Sequence, residues 1–163
     1  MQQFSIDTSG WREFWSRWED AIKEIPGLKE RVLEEAGEDI RDAVRYSISQ
    51  SGLNDSRHGR VKKWQNPHVG SGRGYVAVRP DSVMVTSGGG TKQPLNAGAL
   101  TNYLTSGHKV RAPSGRSKRY VPRARMAKVP GYGFYSAAAG DMAQISAKAA
   151  KKFVEEIREV MGL

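Results

Sequence analysis

The residues best suited to chemistry form a basic run at residues 108–128, which contains eight Lys and Arg and no acid. Lys and Arg bind phosphate and carboxylate oxygens through charge-assisted hydrogen bonds. Burying so many unpaired charges would cost too much, so the segment must face water, an anion or a partner. We therefore predict a basic loop at residues 107–130 that contacts DNA or a protein partner through Lys109, Arg111, Arg116, Lys118, Arg119, Arg123, Arg125 and Lys128.

A second basic segment lies in the polar, Gly-rich residues 53–74, which we predict to form a long connection. Its cations are Arg57, Arg60, Lys62 and Lys63, and Trp64 follows them directly. Long loops without secondary structure are usually functional or disordered. Trp64 could stack on a nucleic-acid base, but we expect it to tuck beneath the loop or contact another subunit.

The sequence lacks the patterns that catalysis or cofactor binding would need. Residues 87–92 place Thr before Lys, unlike a phosphate-binding loop, and residues 70–74 lack the spacing of a dinucleotide fingerprint. The three histidines are scattered, cysteine is absent, and residues 51–136 contain only Asp55 and Asp81 as acids. We predict no catalytic residue, metal or cofactor, and no enzyme activity. A small hydrolase or nuclease is a remote third hypothesis.

Charge is distributed unevenly along the 163 residues, whose formal net charge is +9. Residues 51–136 hold 15 Lys and Arg against 2 Asp and Glu, whereas residues 1–50 hold 7 against 11. Such segregation fits contact with nucleic acid, or head-to-tail contact between copies whose faces differ in charge. A basic protein with solvated loops is the third interpretation. The absence of a basic leader and of long apolar runs predicts a soluble intracellular product without membrane contact.

The periodicity of apolar residues predicts three longer helices. Residues 8–23 carry an aromatic stripe that should cover the core or dock on a neighbour: Trp11, Phe14, Trp15, Trp18 and Ile22. Pro26 is suited to begin a second helix over residues 26–50, whose acidic face we expect to be solvated. The last helix should span residues 137–161, and its alanines would allow close packing on the second helix.

The middle of the chain predicts a β-hairpin of residues 75–79 and 82–86. Parts of residues 57–69 and 107–130 can supply further strands, with the basic insert as a long hairpin tip. A short helix at residues 97–106 should end at Gly107 in the left-handed conformation. The predicted fold is a single α+β domain over residues 1–163: an N-terminal aromatic helix (1–23) and a body (24–163) with a small antiparallel β-sheet packed against two long helices, a short helix and long basic loops.

Two short motifs flank the basic insert. The first is Leu100-Thr-Asn-Tyr-Leu-Thr-Ser-Gly-His108, and the second is Val129-Pro-Gly-Tyr-Gly-Phe-Tyr135. Their ordered combination resembles the neck and tail-completion proteins of tailed bacteriophages, and the order of elements from about residue 24 onward also fits. The chain departs from that family at Thr105-Ser106, where members often carry Glu.

The resemblance implies a structural virion protein that forms a ring, a hexamer or dodecamer, at the head–tail junction. It would act in tail completion or head–tail joining, located in the virion neck or tail top after assembly in the host cytoplasm. Its partners would be copies of itself, the adjoining connector or tail-tube and terminator proteins, and DNA passing through the channel. The alternative hypothesis is a sequence-nonspecific nucleic-acid-binding protein.

Overall fold

The computed structural model describes residues 9–54, 61–85, 94–109 and 128–163, and this part of the chain is mostly helical with small antiparallel strand pairs. This arrangement is broadly α+β, as predicted. The α-helices are α1 (Ser9–Gln50), α2 (Ala97–Ser106), α3 (Phe134–Ala138) and α4 (Met142–Met161). Short 3-10 segments span Val61–Trp64 and Ala139–Asp141.

The strands form separate antiparallel pairs instead of the single sheet that we predicted. In the described residues β1 (Gln65–Val69) pairs with β2 (Val76–Pro80), and β3 (Met84–Val85) pairs with β4 (Leu95–Asn96). The last pair joins β5 (His108–Lys109) to β6 (Lys128–Val129). Parts of residues 57–69 and 107–130 therefore do contribute strands, as expected: Gln65–Val69, His108–Lys109 and Lys128–Val129.

The first two predicted helices are one continuous helix, so the prediction of a break at Pro26 is wrong. Proline removes one backbone hydrogen bond and crowds the preceding turn, which costs about 3 kcal/mol in a helix interior. Buried Ala21 and Leu28 lie on either side of Pro26, which is itself exposed. Packing on both sides of the proline fixes the helix axis, and we infer that it outweighs this local cost.

The helix α4 runs antiparallel along α1. Ion pairs link the two helices in reversed sequence order: Asp39 with Lys148, Glu35 with Lys152, and Arg31 with Glu156. The expected packing of the last helix on the body of α1 is thus present. The observed helical segment begins slightly earlier than predicted, with α3 and a 3-10 turn before α4.

The predicted hairpin of residues 75–79 and 82–86 is wrong, because β2 pairs with β1. The turn lies at residues 70–75, where Gly70 N–H donates to Tyr75 O at 2.9 Å and Arg73 has a φ of 48°. This Gly-rich segment supplies the tight turn that Pro80-Asp81 lacks. Much of residues 53–74 is therefore structured, contrary to the long connection that we predicted.

The β1–β2 ribbon lies directly against the middle of α1 at Gly37. A Cβ at this position would come within 2.7 Å of Pro67 Cβ and 2.8 Å of Val76 Cγ2. Glycine weakens a helix interior, so its position here is explained by the close approach of the ribbon.

One hydrophobic core joins the C-terminal half of α1 to the shorter elements. Val44 and Ile48 of α1 pack with Val61 and Trp64, and further core residues are Leu53, Ala97, Leu100, Phe134 and Ala138. Trp64 is only 5% exposed, so it tucks into the core as expected and is unavailable for base stacking. The core holds α2 and α3 at the same end of α1.

Candidate partner-contact site

The helix α2 ends on the segment that follows the basic insert. Tyr132 N–H donates to Leu104 O at 2.7 Å, and Gly133 N–H donates to Thr105 O at 2.9 Å. These bonds satisfy carbonyls that a helix end otherwise leaves without partners. We call this contact between residues 104–109 and 128–133 the glycine junction.

Two glycines make the glycine junction possible. An ideal Cβ on Gly107 would lie 2.2 Å from Val129 O, and one on Gly131 would lie 2.2 Å from Thr105 O. Gly107 is the predicted helix stop, but its φ of 72° and ψ of −179° differ from the left-handed helical conformation that we expected. That backbone region is accessible essentially to glycine alone. The two motifs that flank the insert therefore meet backbone to backbone.

The strands β5 and β6 leave the glycine junction side by side and form the root of the basic insert. Lys109 and Lys128 are directly opposite each other and both are exposed. Like charges at opposed positions on neighbouring strands destabilise the pair. An anion near the two ammonium groups would relieve this repulsion. The other predicted contacts of the insert lie outside the described residues: Arg111, Arg116, Lys118, Arg119, Arg123 and Arg125.

A buried polar network beneath the junction was missed by sequence reasoning. Trp64 Nε1 donates to Thr101 Oγ1 at 3.0 Å, Gln65 Nε2 donates to the same oxygen at 3.4 Å, and the Tyr135 hydroxyl donates to Gln65 Oε1. Gln65 and Thr101 are fully buried, and burial raises the pKa of Tyr135 to about 12. No local pattern signals these contacts, because their partners lie far apart in the sequence.

The second basic segment is anchored to α1 instead of forming an open loop. Arg45 Nε donates to Lys62 O at 3.0 Å, and Arg45 Nη2 donates to Gln65 O at 3.2 Å. Lys62 is half-buried and Lys63 is exposed in the 3-10 turn. The other two predicted contacts of this segment, Arg57 and Arg60, lie outside the described residues.

The acidic face of α1 is partly neutralised within the chain. Glu35 and Asp39 pair with Lys152 and Lys148 of α4, and Glu30 pairs with Arg73 at 3.3 Å. The pair with Glu35 raises the pKa of Lys152. These contacts weaken the hypothesis that this acidic face serves a basic neighbour.

The aromatic stripe of α1 lies on the surface. Trp11 is 64% exposed, Trp15 54% and Trp18 38%, so they do not belong to the buried core. Contact of this stripe with a neighbour stays a prediction.

The described residues offer little for metal or catalytic chemistry. His68 Nε2 lies 3.6 Å from Asp81 Oδ1, and His108 packs on Tyr103 with ring centroids 5.4 Å apart. In residues 9–54, 61–85, 94–109 and 128–163 no three His, Asp or Glu side chains are arranged to hold a metal ion. None of the helices in these parts is long and apolar enough to cross a membrane.

Comparison with known proteins adds no relative. No protein family, curated protein or solved structure matches the chain. A function is therefore inferred from its own residues and geometry.

Proposed function

We propose that this chain is a structural protein of a tailed-phage virion, acting in tail completion or head–tail joining at the head–tail junction. The observation that carries the proposal is the glycine junction. The two motifs that resemble neck proteins are separated by 20 residues of sequence, yet they form one unit from which the basic insert departs. A ring of six or twelve copies would repeat this unit around a channel.

The basic insert is the contact element in this proposal. The helices α1 and α4 form the long body, and β5 and β6 hold the ends of the insert together. In this proposal the basic residues of the insert contact DNA in the channel or an acidic surface of the adjoining connector, tail-tube or terminator protein. Its Lys and Arg neutralise phosphates or carboxylates without reading sequence and without catalysis.

The second candidate is a sequence-nonspecific nucleic-acid-binding protein. The opposed Lys109 and Lys128 and the net charge of residues 51–136 favour phosphate contact in either case. The two proposals differ in assembly, because a stand-alone binder needs no partner protein. It would shift DNA at low salt, and phage particles would join normally without it.

The test replaces Arg116, Arg119, Arg123 and Arg125 of the insert, together with Lys118, by Ser in infected cells. We expect unjoined heads and tails by electron microscopy. The matched control replaces the four arginines by Lys and keeps Lys118, so it preserves charge and should restore most joining. Normal joining by the Ser variant would contradict the role of the insert.

A further inference from the structure

The N-terminal part of α1 presents an apolar surface with helical regularity. Trp11, Trp15, Trp18 and Ile22 follow one another at intervals of four, three and four residues. At 3.6 residues per turn they lie within about 60° of one another around the helix. Each is between 38% and 64% exposed. We call these four residues the aromatic seam.

The aromatic seam is distinct from the face that α1 turns toward its own body. Phe14 and Arg17 line a cleft with Met161 and Leu163 at the end of α4, and Ala21 is buried. In helical projection these residues lie on one side of the seam, centred about 100° from it around the helix. Among the residues that the structure describes, the packing of the chain on itself therefore leaves much of each seam side chain exposed.

The charges beside the seam indicate which partner fits. Arg12 and Glu19 lie along its other edge, seven residues apart, and both are exposed. Seven residues is one heptad, so Arg12 and Glu19 occupy equivalent positions beside the apolar contact that two paired helices would form. When two such helices pair antiparallel, this position of one helix faces the same position of the other. Arg12 of each copy then lies beside Glu19 of the second copy.

We propose that two copies of this chain associate through their aromatic seams as an antiparallel helix pair. When Trp15 of each copy packs against Trp18 of the other, Trp11 of each copy packs against Ile22 of the other. In each Arg12–Glu19 pair, the two residues then differ in position by about 3 Å along the helix axis. A parallel pair would offer no opposite charges at these positions. The inference does not rest on the proposed function.

The available area predicts a reversible dimer. A buried aromatic side chain covers about 150–250 Å², and the seam residues are roughly half exposed. With Phe14 at the edge, each copy would cover about 500 Å², so the interface would total about 1,000 Å². This is near the lower limit of specific interfaces, and we expect a Kd between about 1 µM and about 1 mM.

Sedimentation equilibrium of the full chain tests the proposal by charge reversal. The symmetric dimer contains two contacts between position 12 of one copy and position 19 of the other. Arg12→Glu alone, or Glu19→Arg alone, turns both into contacts between like charges and should raise the Kd by about tenfold. The double variant R12E/E19R restores opposite pairs and should return the Kd to the original value. Lys151→Glu, an equal charge change on the exposed face of α4, should leave the Kd unchanged.

Three outcomes would overturn the proposal. The first is a chain that stays monomeric at every concentration up to about 1 mM. Binding of the seam to vesicles of phosphatidylcholine and phosphatidylglycerol by such a monomer would count as the same outcome. The second is a dimer insensitive to both single reversals. The third is a double variant that stays as weak as the single ones. The joining of phage particles is measured separately, so each proposal can fail without the other.

Discussion

At the scale of single residues, the body depends on a buried chain of hydrogen bonds. Thr101 Oγ1 accepts from Trp64 and Gln65, and Gln65 accepts from Tyr135. A buried polar group without a partner costs far more than a satisfied hydrogen bond contributes. The network therefore selects one mutual arrangement of the 3-10 turn, α2 and α3.

Replacing Thr101 by Val should lower the free energy of unfolding by about 1–3 kcal/mol, because it leaves Trp64 Nε1 buried without an acceptor. Urea denaturation measures this loss. Thr105→Val is the matched control, since Thr105 Oγ1 is buried and has no hydrogen-bond partner among the described residues. The control should be neutral or stabilising, and equal losses in both variants would contradict the account of the network.

The raised pKa of Tyr135 predicts that the stability of the fold decreases at alkaline pH. Burial raises the pKa of Tyr135 to about 12, whereas an unfolded tyrosine has a pKa of about 10. Above the unfolded value the unfolded chain releases a proton that the folded chain retains, so stability falls as pH rises from about 10 to about 12. Below that range this contribution is fully present.

Tyr135→Phe should therefore be less stable than the original chain at pH ~8, and the difference should narrow above pH ~10. Denaturant unfolding at several pH values gives the difference. Tyr46→Phe serves as the control, because Tyr46 is 65% exposed. A difference that stays constant through this range would contradict the buried environment of the hydroxyl.

At the scale of elements, local signals predicted some boundaries and failed on others. The bounds of α2 match the prediction of residues 97–106, because the Asn96 side chain caps Gly98 N–H and Gly107 ends the helix. Pro26 misled the prediction because α1 continues through it, and we infer that packing of the helix on both sides of the proline outweighs a local helix breaker. The strand pairing was missed because the turn lies in the Gly-rich residues 70–75 and not at Pro80-Asp81. The polar network could not be predicted from local sequence, because its partners lie far apart in the chain.

Pro26→Ala should stabilise the protein, since it restores an amide donor to α1 and removes crowding in an exposed helix interior. We expect a gain of about 1–3 kcal/mol in urea unfolding, and Gly27→Ala should give about 1 kcal/mol or less. A loss of stability on Pro26→Ala would show that α1 needs a break at this residue.

Gly107→Ala tests the glycine junction. A Cβ there would lie 2.2 Å from a backbone oxygen in a conformation with positive φ, so we expect a loss of more than about 2 kcal/mol in thermal or urea unfolding. Gly140→Ala is the control, because nothing lies within 4 Å of a Cβ at that position. A Gly107→Ala variant as stable as the control would contradict the close contact of the two motifs.

At the scale of the whole molecule, some charged groups are paired within the chain, whereas other charged groups and an apolar surface face outward. Glu35 and Asp39 in the middle of α1 pair with α4, and Glu30 pairs with Arg73, so part of the negative charge of this helix is neutralised within the chain. The opposed Lys109 and Lys128 and the aromatic seam, in contrast, face outward. These outward-facing groups are the ones that the proposed role in assembly would use.

The location of the chain in purified virions tests this account most directly. A gold-binding tag on the C-terminus, imaged by electron microscopy, would mark where each copy lies. The account predicts several copies arranged around the axis where head and tail meet, in particles that remain infectious. Labelled chain that is missing from virions, or that lies only on the capsid surface or along the tail shaft, would contradict it.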